Sequence, residues 1–389
     1  MRTCLILDAE MQCALPVMES LRKRGFHVTA ASHKRVNMGF FSRYPNERKL
    51  YPPPGKCPAA FLERIFELVK QQHYDFILPT DDVSSEILTN HKDELELYTR
   101  CPVVSHDIFM KARDKSQTLR LAMENNVPCP STFFPEQMDI EDIADKVSYP
   151  VLVKPNISSG SRGISLATNK TTLASTYRKV TDSYGECHVQ EYIPKGGMQY
   201  KADLFLDRQQ HLKAGIVYSK LRYFPVNGGS SCLNRTVLQP QIMDSAHRLL
   251  AAMGWYGFAD FDFITDPRDG IPRLVEINPR VPACFRITLA AGIDFSYLIS
   301  KLAMDEEIPL IREYKLDVYV RYLPLDILWF LKSPERFRAK PSFFRFFDRN
   351  LHDQIMSVRD PGAFFGFCLE NLLSLFDWEA RKTRYSRGW

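Results

Sequence analysis

The chain has 389 residues, 45% of them apolar and 25% charged, with a formal net charge of +5. This length calls for two or three packed modules, and the balance excludes a disordered, collagen-like or coiled-coil protein. No run approaches the roughly 20 apolar residues of a membrane-spanning helix. The N-terminus reads as a first strand rather than a signal peptide, because Asp8 follows only a short apolar run.

The first 110 residues alternate strand and helix signals. Residues 3–7 predict a strand. Apolar Ala14, Val17, Met18 and Leu21 predict a helix over 14–24, with Gly25 closing it. A strand over 26–31, a helix over 59–72 and a strand over 76–78 follow. This alternation predicts a doubly wound parallel sheet covered by helices. The turn Asp8-Ala9-Glu10-Met11-Gln12 has no glycine, so the dinucleotide fingerprint is missing and NAD is not expected. Pro79-Thr80-Asp81-Asp82 admits two readings. Thr80 or Asp81 caps the next helix, or Asp81 and Asp82 meet a ligand at the carboxyl end of a parallel strand.

A helix is predicted over 114–126 with Lys115 in its first turn. Strands dominate from Val151 to Arg280, with helices near 171–180 and 241–253, which predicts a second, α+β module. Nine cysteines are scattered without metal-type spacing, so reduced thiols in a cytoplasmic protein are expected.

Three segments carry chemistry. In the first, a strand ends at Lys154-Pro155 and a small-residue loop follows. Gly160 and Gly163 let backbone N–H groups approach an anion, and Ser158, Ser159 and Ser161 add hydroxyl donors. A plain Ser/Gly hairpin turn is the alternative. In the second, Asp260 and Asp262 share one face of a strand while Ala259, Phe261 and Phe263 take the other. Glu276, Asn278 and Arg280 share one face of the next. A hairpin centred on Asp269 places Asp262 opposite Glu276 and Asp260 opposite Asn278. Like charges so placed cost stability, and a hard cation such as Mg²⁺ between Asp262, Glu276 and Asn278 removes that cost. The alternative is a solvated polar face. In the third, Val189-Gln190-Glu191-Tyr192-Ile193 runs into a glycine-bearing turn.

These pieces in this order resemble the ATP-grasp superfamily, in particular carboxylate–amine ligases related to the carbamoyl-phosphate synthase large subunit. The resemblance covers roughly residues 1–305. It implies a pre-ATP-grasp domain over 1–110, an ATP-grasp domain over 111–311 with a lid subdomain near 128–192, and a mainly helical, aromatic-rich extension over 312–389. It implies ATP with Mg²⁺, or Mn²⁺ in its place, as cofactors. Lys115 and Lys154 match the lysines that hold the phosphates, and 156–163 the flexible lid. Glu191, Tyr192 and Ile193 match the strand that reads adenine, with Gln199 where the family usually has a ribose-binding glutamate. Asp262, Glu276 and Asn278 match the metal ligands, and Arg280 the arginine that stabilises the transferring phosphoryl group. The implied activity is joining a small-molecule carboxylate to an amine through an acylphosphate. A nucleotide-binding or phosphoryl-transfer accessory protein without amide synthesis is the alternative.

The substrate contacts stay open. Arg222 and Arg235 flank a Gly/Ser-bearing loop that is either plain surface or a clamp on a substrate carboxylate. Cys284 lies where relatives carry a small acceptor-facing turn, and a buried small thiol is its other reading. The tail beyond 312 holds 14 Lys/Arg against 10 Asp/Glu and 17 of the 47 aromatic residues, among them Trp329-Phe330, Phe343-Phe344, Phe346-Phe347 and Phe364-Phe365. A cap packed on the body is the favoured reading, and a membrane-docking surface the alternative. Nucleic acid is not an expected partner, since the body has no basic stripe. The oligomeric state is not legible.

Overall fold

A computed structural model describes residues 1–160, 162–226 and 228–375. Strands β1 (Thr3–Ile6), β2 (His27–Ser32), β3 (Glu47–Leu50) and β4 (Phe76–Leu78) form a parallel sheet in the order β3-β2-β1-β4. Both faces are covered. Cys4 and Ile6 pack with Val17, Met18 and Leu21 of the helix Ala14–Lys23, while Leu5 and Ile77 pack with Phe61, Ile65 and Leu68 of the helix Pro58–Gln71. Gly25 follows the first helix at φ 84°, a conformation that suits glycine at a helix end. β3, with the sequence Glu-Arg-Lys-Leu, carries almost no apolar signal and is an edge strand that the sequence pattern did not reveal.

A small antiparallel sheet follows, built from β5 (Thr132–Phe133), β6 (Val151–Pro155), β7 (Ser165–Ala167) and β8 (Cys187–Glu191) in the order β5-β8-β6-β7. Val151, Val153 and Val189 pack on Leu173 and Val180 of the helix Lys170–Tyr184. The alternation leaves Lys154, His188 and Gln190 on the opposite face.

The largest sheet has seven strands: β9 (Gln199–Leu206), β10 (Leu212–Phe224), β11 (Ser230–Val237), β12 (Gly257–Thr265), β13 (Pro272–Asn278), β14 (Tyr319–Arg321) and β15 (Leu351–Asp353). Their order is β13-β12-β9-β10-β11-β14-β15. Ala202, Leu204, Ala259, Phe261 and Phe263 bury one face against the helix Pro240–Met253. The other face carries the polar residues of the same strands.

The tail contributes strands as well as helices. β14 pairs antiparallel with β11, and β15 runs parallel to β14. The helix Pro361–Ser374 lies so close to the turn Met38–Phe41 that a Cβ on Gly362 would fall 2.2 Å from the Phe41 carbonyl oxygen. Trp329 and Phe343 are buried, as a cap requires, but Phe337, Phe344, Phe347 and Phe365 are exposed. All nine cysteines are free thiols. Among the described residues no helix is long and apolar enough to cross a membrane.

Candidate active site

The β12–β13 hairpin sets Asp260 opposite Asn278 and Asp262 opposite Glu276. The register then steps to Phe263 opposite Leu274, so Val275 is an extra residue that bends the strand beside the acids. On the other side of β12, β9 sets Lys201 beside Asp262 and Asp203 beside Asp260. The Lys201 ammonium lies 2.6 Å from Asp260 Oδ2 and 3.0 Å from Asp262 Oδ2. Lys220, from β10, meets the other oxygen of Asp262. Burial alone would raise the Asp262 carboxyl, but Lys201 and Lys220 outweigh it and hold it well below the usual carboxylate range.

Asn278 donates from Nδ2 to Asp260 at 2.9 Å and to Asp262 at 3.2 Å. Burial, reinforced by Asp260, raises Asp203 well above the usual range. The Tyr218 hydroxyl lies 3.3 Å from both Asp203 oxygens and 3.2 Å from Cys284 Sγ. Burial pushes the Cys284 thiol up to about 12, which fits a buried neutral thiol and not a nucleophile.

One lysine pairs with Glu276 and a second is buried nearby. The helix Lys115–Glu124 starts after Asp114, whose carboxylate accepts from Ser116 N at 2.8 Å. That cap fixes Lys115, whose Nζ lies 3.3 Å from Glu276 Oε2 and donates to Ser158 O at 2.8 Å. Its backbone N–H donates to Asn156 O at 2.9 Å, joining the helix start to the Ser/Gly loop. Lys154 ends β6 and donates to Gln190 Oε1 at 2.9 Å. Burial pushes the Lys154 ammonium down to about 8; Glu276 opposes the shift and Lys115 adds to it. Gly160 and Gly163 have φ of 63° and 76°, which suit glycine. Ser158 and Ser159 lie on the same loop, and Ser161 falls outside the described residues.

Glu191 ends β8, donates its N–H to Ser131 O at 2.8 Å and accepts at Oε1 from Arg268 at 2.5 Å. Tyr192 and Ile193 lead from the small sheet to the large one, and Gln199 opens β9 opposite Ile264. Arg280 follows β13 and donates from Nε to Asp82 Oδ1 at 2.8 Å. Burial disfavours its charge, but Asp82 more than compensates and Arg280 stays protonated. Asp81 caps the helix Asp82–Asn90, accepting from Val83 N at 3.3 Å, so the capping reading of this turn holds. Asp8 braces the same turn by accepting from Thr80 N and Asp81 N, both at 2.9 Å, and from Ser84 Oγ at 2.6 Å.

Of the two arginines offered as a clamp on a substrate carboxylate, one is taken up elsewhere. Arg222 is fully buried and pairs with both oxygens of Asp326, at 3.1 and 3.0 Å, with its guanidinium 4.5 Å from the Trp329 ring. It anchors the tail and has no free face for a substrate. Arg235 is half exposed and pairs with Asp317 through Nε at 2.6 Å. Lys201, Lys220 and Asp203 were missed. Gln199, Lys201 and Asp203 alternate with Tyr200, Ala202 and Leu204, and that period-two pattern was the signal for a second charged strand beside the acids.

Of the expected Mg²⁺ ligands Glu276 is the more open carboxylate, while both oxygens of Asp262 are engaged by Lys201 and Lys220, so a Mg²⁺ arriving with a nucleotide would have to displace a lysine from Asp262. Among the described residues no three His, Cys, Asp or Glu side chains form a cage. Mg²⁺ commonly takes one or two carboxylates and completes its shell from phosphates and water. Glu276 faces Asp262 across the ladder, and Asn278 turns its amide nitrogen to the acids and its oxygen away from them.

The family description "ATP-grasp domain" matches residues 112–284, the stretch that runs from just before Lys115 to Cys284. That segment is similar to an ATP-grasp domain. D-aspartate ligase of Enterococcus faecium is 24% identical over 244 residues, covering 57% of this chain and 58% of that protein. The carbamoyl phosphate synthase large chain of Methanocorpusculum labreanum is 21% identical, covering 76% of this chain and 28% of its own length. The chain thus spans well under two thirds of both relatives. In structure, the biotin carboxylase–βγ-ATP complex of Campylobacter jejuni superposes with a TM-score of 0.68 at 16% identity, over 82% of this chain and 74% of that one. This likeness covers more of the chain than the matched segment, and it concerns the fold alone.

Proposed function

We propose that this protein is an ATP-dependent ligase that activates a small-molecule carboxylate as an acylphosphate and couples it to an amine. The observation that carries the reading is the Lys115–Glu276 ion pair, with Lys154 of the small sheet buried nearby, at the mouth of a hairpin that also holds Asp262, Asn278 and Arg280. The likenesses to an ATP-grasp domain and to a D-aspartate ligase support it.

In this reading a substrate carboxylate oxygen attacks the γ-phosphorus and ADP leaves. The amine nitrogen then attacks the acyl carbon, phosphate leaves and the amide remains. Both partners of the first step are anions, so positive charge is the main requirement. Lys115 and Lys154 hold the phosphates. Arg280, pinned by Asp82, faces the transferring group. Mg²⁺, held by Asp262, Glu276 and Asn278 together with the phosphates, would supply further charge neutralisation. The small sheet and the loop 156–163 act as the lid that keeps water from the labile acylphosphate. Glu191, Tyr192, Ile193 and Gln199 line the path between the two sheets where the nucleoside is read.

The test is ADP release across pairs of carboxylates and amines, amino acids first, with mass detection of the product. Release that needs both partners and yields an amide is expected. ADP release that needs only the carboxylate, or none at all with any pair, overturns the reading.

A further inference from the structure

The tail exposes an aromatic cluster that the fold does not use. Phe330 and Phe343 stack at 4.4 Å between centroids, Phe337 and Phe344 meet Phe330 edge-on at 5.5 and 5.3 Å, and Phe346 meets Phe343 at 5.6 Å. Phe343 is buried, but Phe337 is 75% exposed, Phe344 61%, and Phe347 fully exposed beside Phe346. Leu331 is exposed on the adjoining helix end. The base of the cluster is rigid, because Arg321 lies 5.4 Å from the Phe343 ring and 4.9 Å from Phe346 while donating to Phe343 O at 2.9 Å. A contiguous exposed apolar patch of this kind marks an interaction site.

The charges around it choose the partner. Residues 327–350 hold Lys332, Arg336, Arg338, Lys340, Arg345 and Arg349 against Glu335 and Asp348. Asp348 already pairs with Arg345, and among the described residues Arg336, Arg338 and Lys340 form no ion pair. A second copy would set this positive surface against itself across a twofold axis. The chain's own residues 376–389 are also net basic and do not complement it. Exposed rings interleaved with unpaired cations suit insertion among lipid headgroups.

We infer that residues 327–350 are a docking surface for an anionic lipid bilayer, with Phe337, Phe344 and Phe347 entering the interface and Arg336, Arg338 and Lys340 meeting the headgroups. This stands apart from the ligase reading, because none of these residues belongs to the nucleotide site.

The test is co-sedimentation of the full chain with vesicles of phosphatidylcholine alone and of phosphatidylcholine with phosphatidylglycerol. Binding to the second only is expected, weakening as salt rises. Arg336→Glu, Arg338→Glu and Lys340→Glu together should weaken it on the order of a hundredfold. Phe337→Ser, Phe344→Ser and Phe347→Ser should abolish it while the melting temperature stays near that of the parent, since these rings are exposed. Removing residues 376–389 should leave it unchanged. Equal binding to both vesicle types, no binding, or a concentration-dependent dimer that the Phe347→Ser change dissolves would each overturn the assignment.

Discussion

Arg280 donates to Asp82 at 2.8 Å, and this pair joins the end of the acidic hairpin to the carboxyl edge of the N-terminal parallel sheet. The expected catalytic arginine is thus aimed by a residue from a different module. Arg280→Ala should lower kcat by about two to three orders of magnitude, as loss of a preorganised charge does. Asp82→Asn keeps the shape and a hydrogen-bonding oxygen but removes the charge. It should lower kcat less and leave the KM for ATP near the parent value. Steady-state kinetics on both variants checks this, and a large rise in the KM for ATP with kcat unchanged would contradict the positioning role.

Glu276 pairs with Lys115 and lies within the electrostatic reach of Lys154. Glu276→Ala should abolish ADP formation while leaving circular dichroism unchanged, since the side chain sits on a polar, partly open face. Normal ADP production by a folded Glu276→Ala protein would remove the metal assignment.

Lys154 gives a pH signature. Its ammonium is pushed down to about 8, so the free site loses this charge as pH rises through that value. ATP affinity should therefore hold below pH 8 and fall above it, by up to roughly tenfold per pH unit. Stability runs the other way. The fold disfavours the protonated lysine, so that penalty is full below about pH 8 and fades as pH climbs toward the ordinary lysine value. Calorimetric titration across this range reads the affinity. Lys154→Arg should flatten the profile, and Lys154→Ala should weaken ATP binding by roughly 1.5–3 kcal/mol.

Arg222 and Arg235 should behave differently. Arg222→Ala removes one of the two arginines that hold the fully buried Asp326, leaving Arg321 at 3.0 Å, and should cost about 1.5–3 kcal/mol of stability. Arg235→Ala breaks an exposed pair and should change stability by about 1 kcal/mol or less. Denaturant unfolding measures both. Comparable effects at the two sites would contradict the burial argument.

The parts of the site legible in sequence are those written in local order. The opposition of Asp262 and Glu276 followed from period-two alternation and the turn around Asp269. Strand β4 matched its apolar run, and the helix Lys115–Glu124 lies within the expected 114–126 with Lys115 in its first turn. The rest depends on partners distant in the chain. Lys201 reaches Asp260 and Asp262 only because β9 pairs with β12, some 60 residues on, and no local pattern fixes that pairing. Arg222 looked like a loop cation because Asp326 lies 104 residues away. Asp8 read as the end of an apolar run, and its role in holding the turn at Thr80 and Asp81 appears only when β1 lies beside β4.

The continuous ladder from β13 to β15 has a consequence for how this chain can be divided or recombined. A cut at residue 312 opens the outer edge of β11, where Leu233, Asn234 and Arg235 now face β14, and leaves the Arg222 guanidinium without its counter-ion inside an apolar shell. The last 78 residues are therefore no detachable accessory to be swapped between relatives. A graft that carries them would have to bring along Arg222, the edge of β11 and the turn at Phe41 that receives Gly362 and Gly366. The tail therefore binds the outer edge of the large sheet to the N-terminal module, and the two share one apolar core.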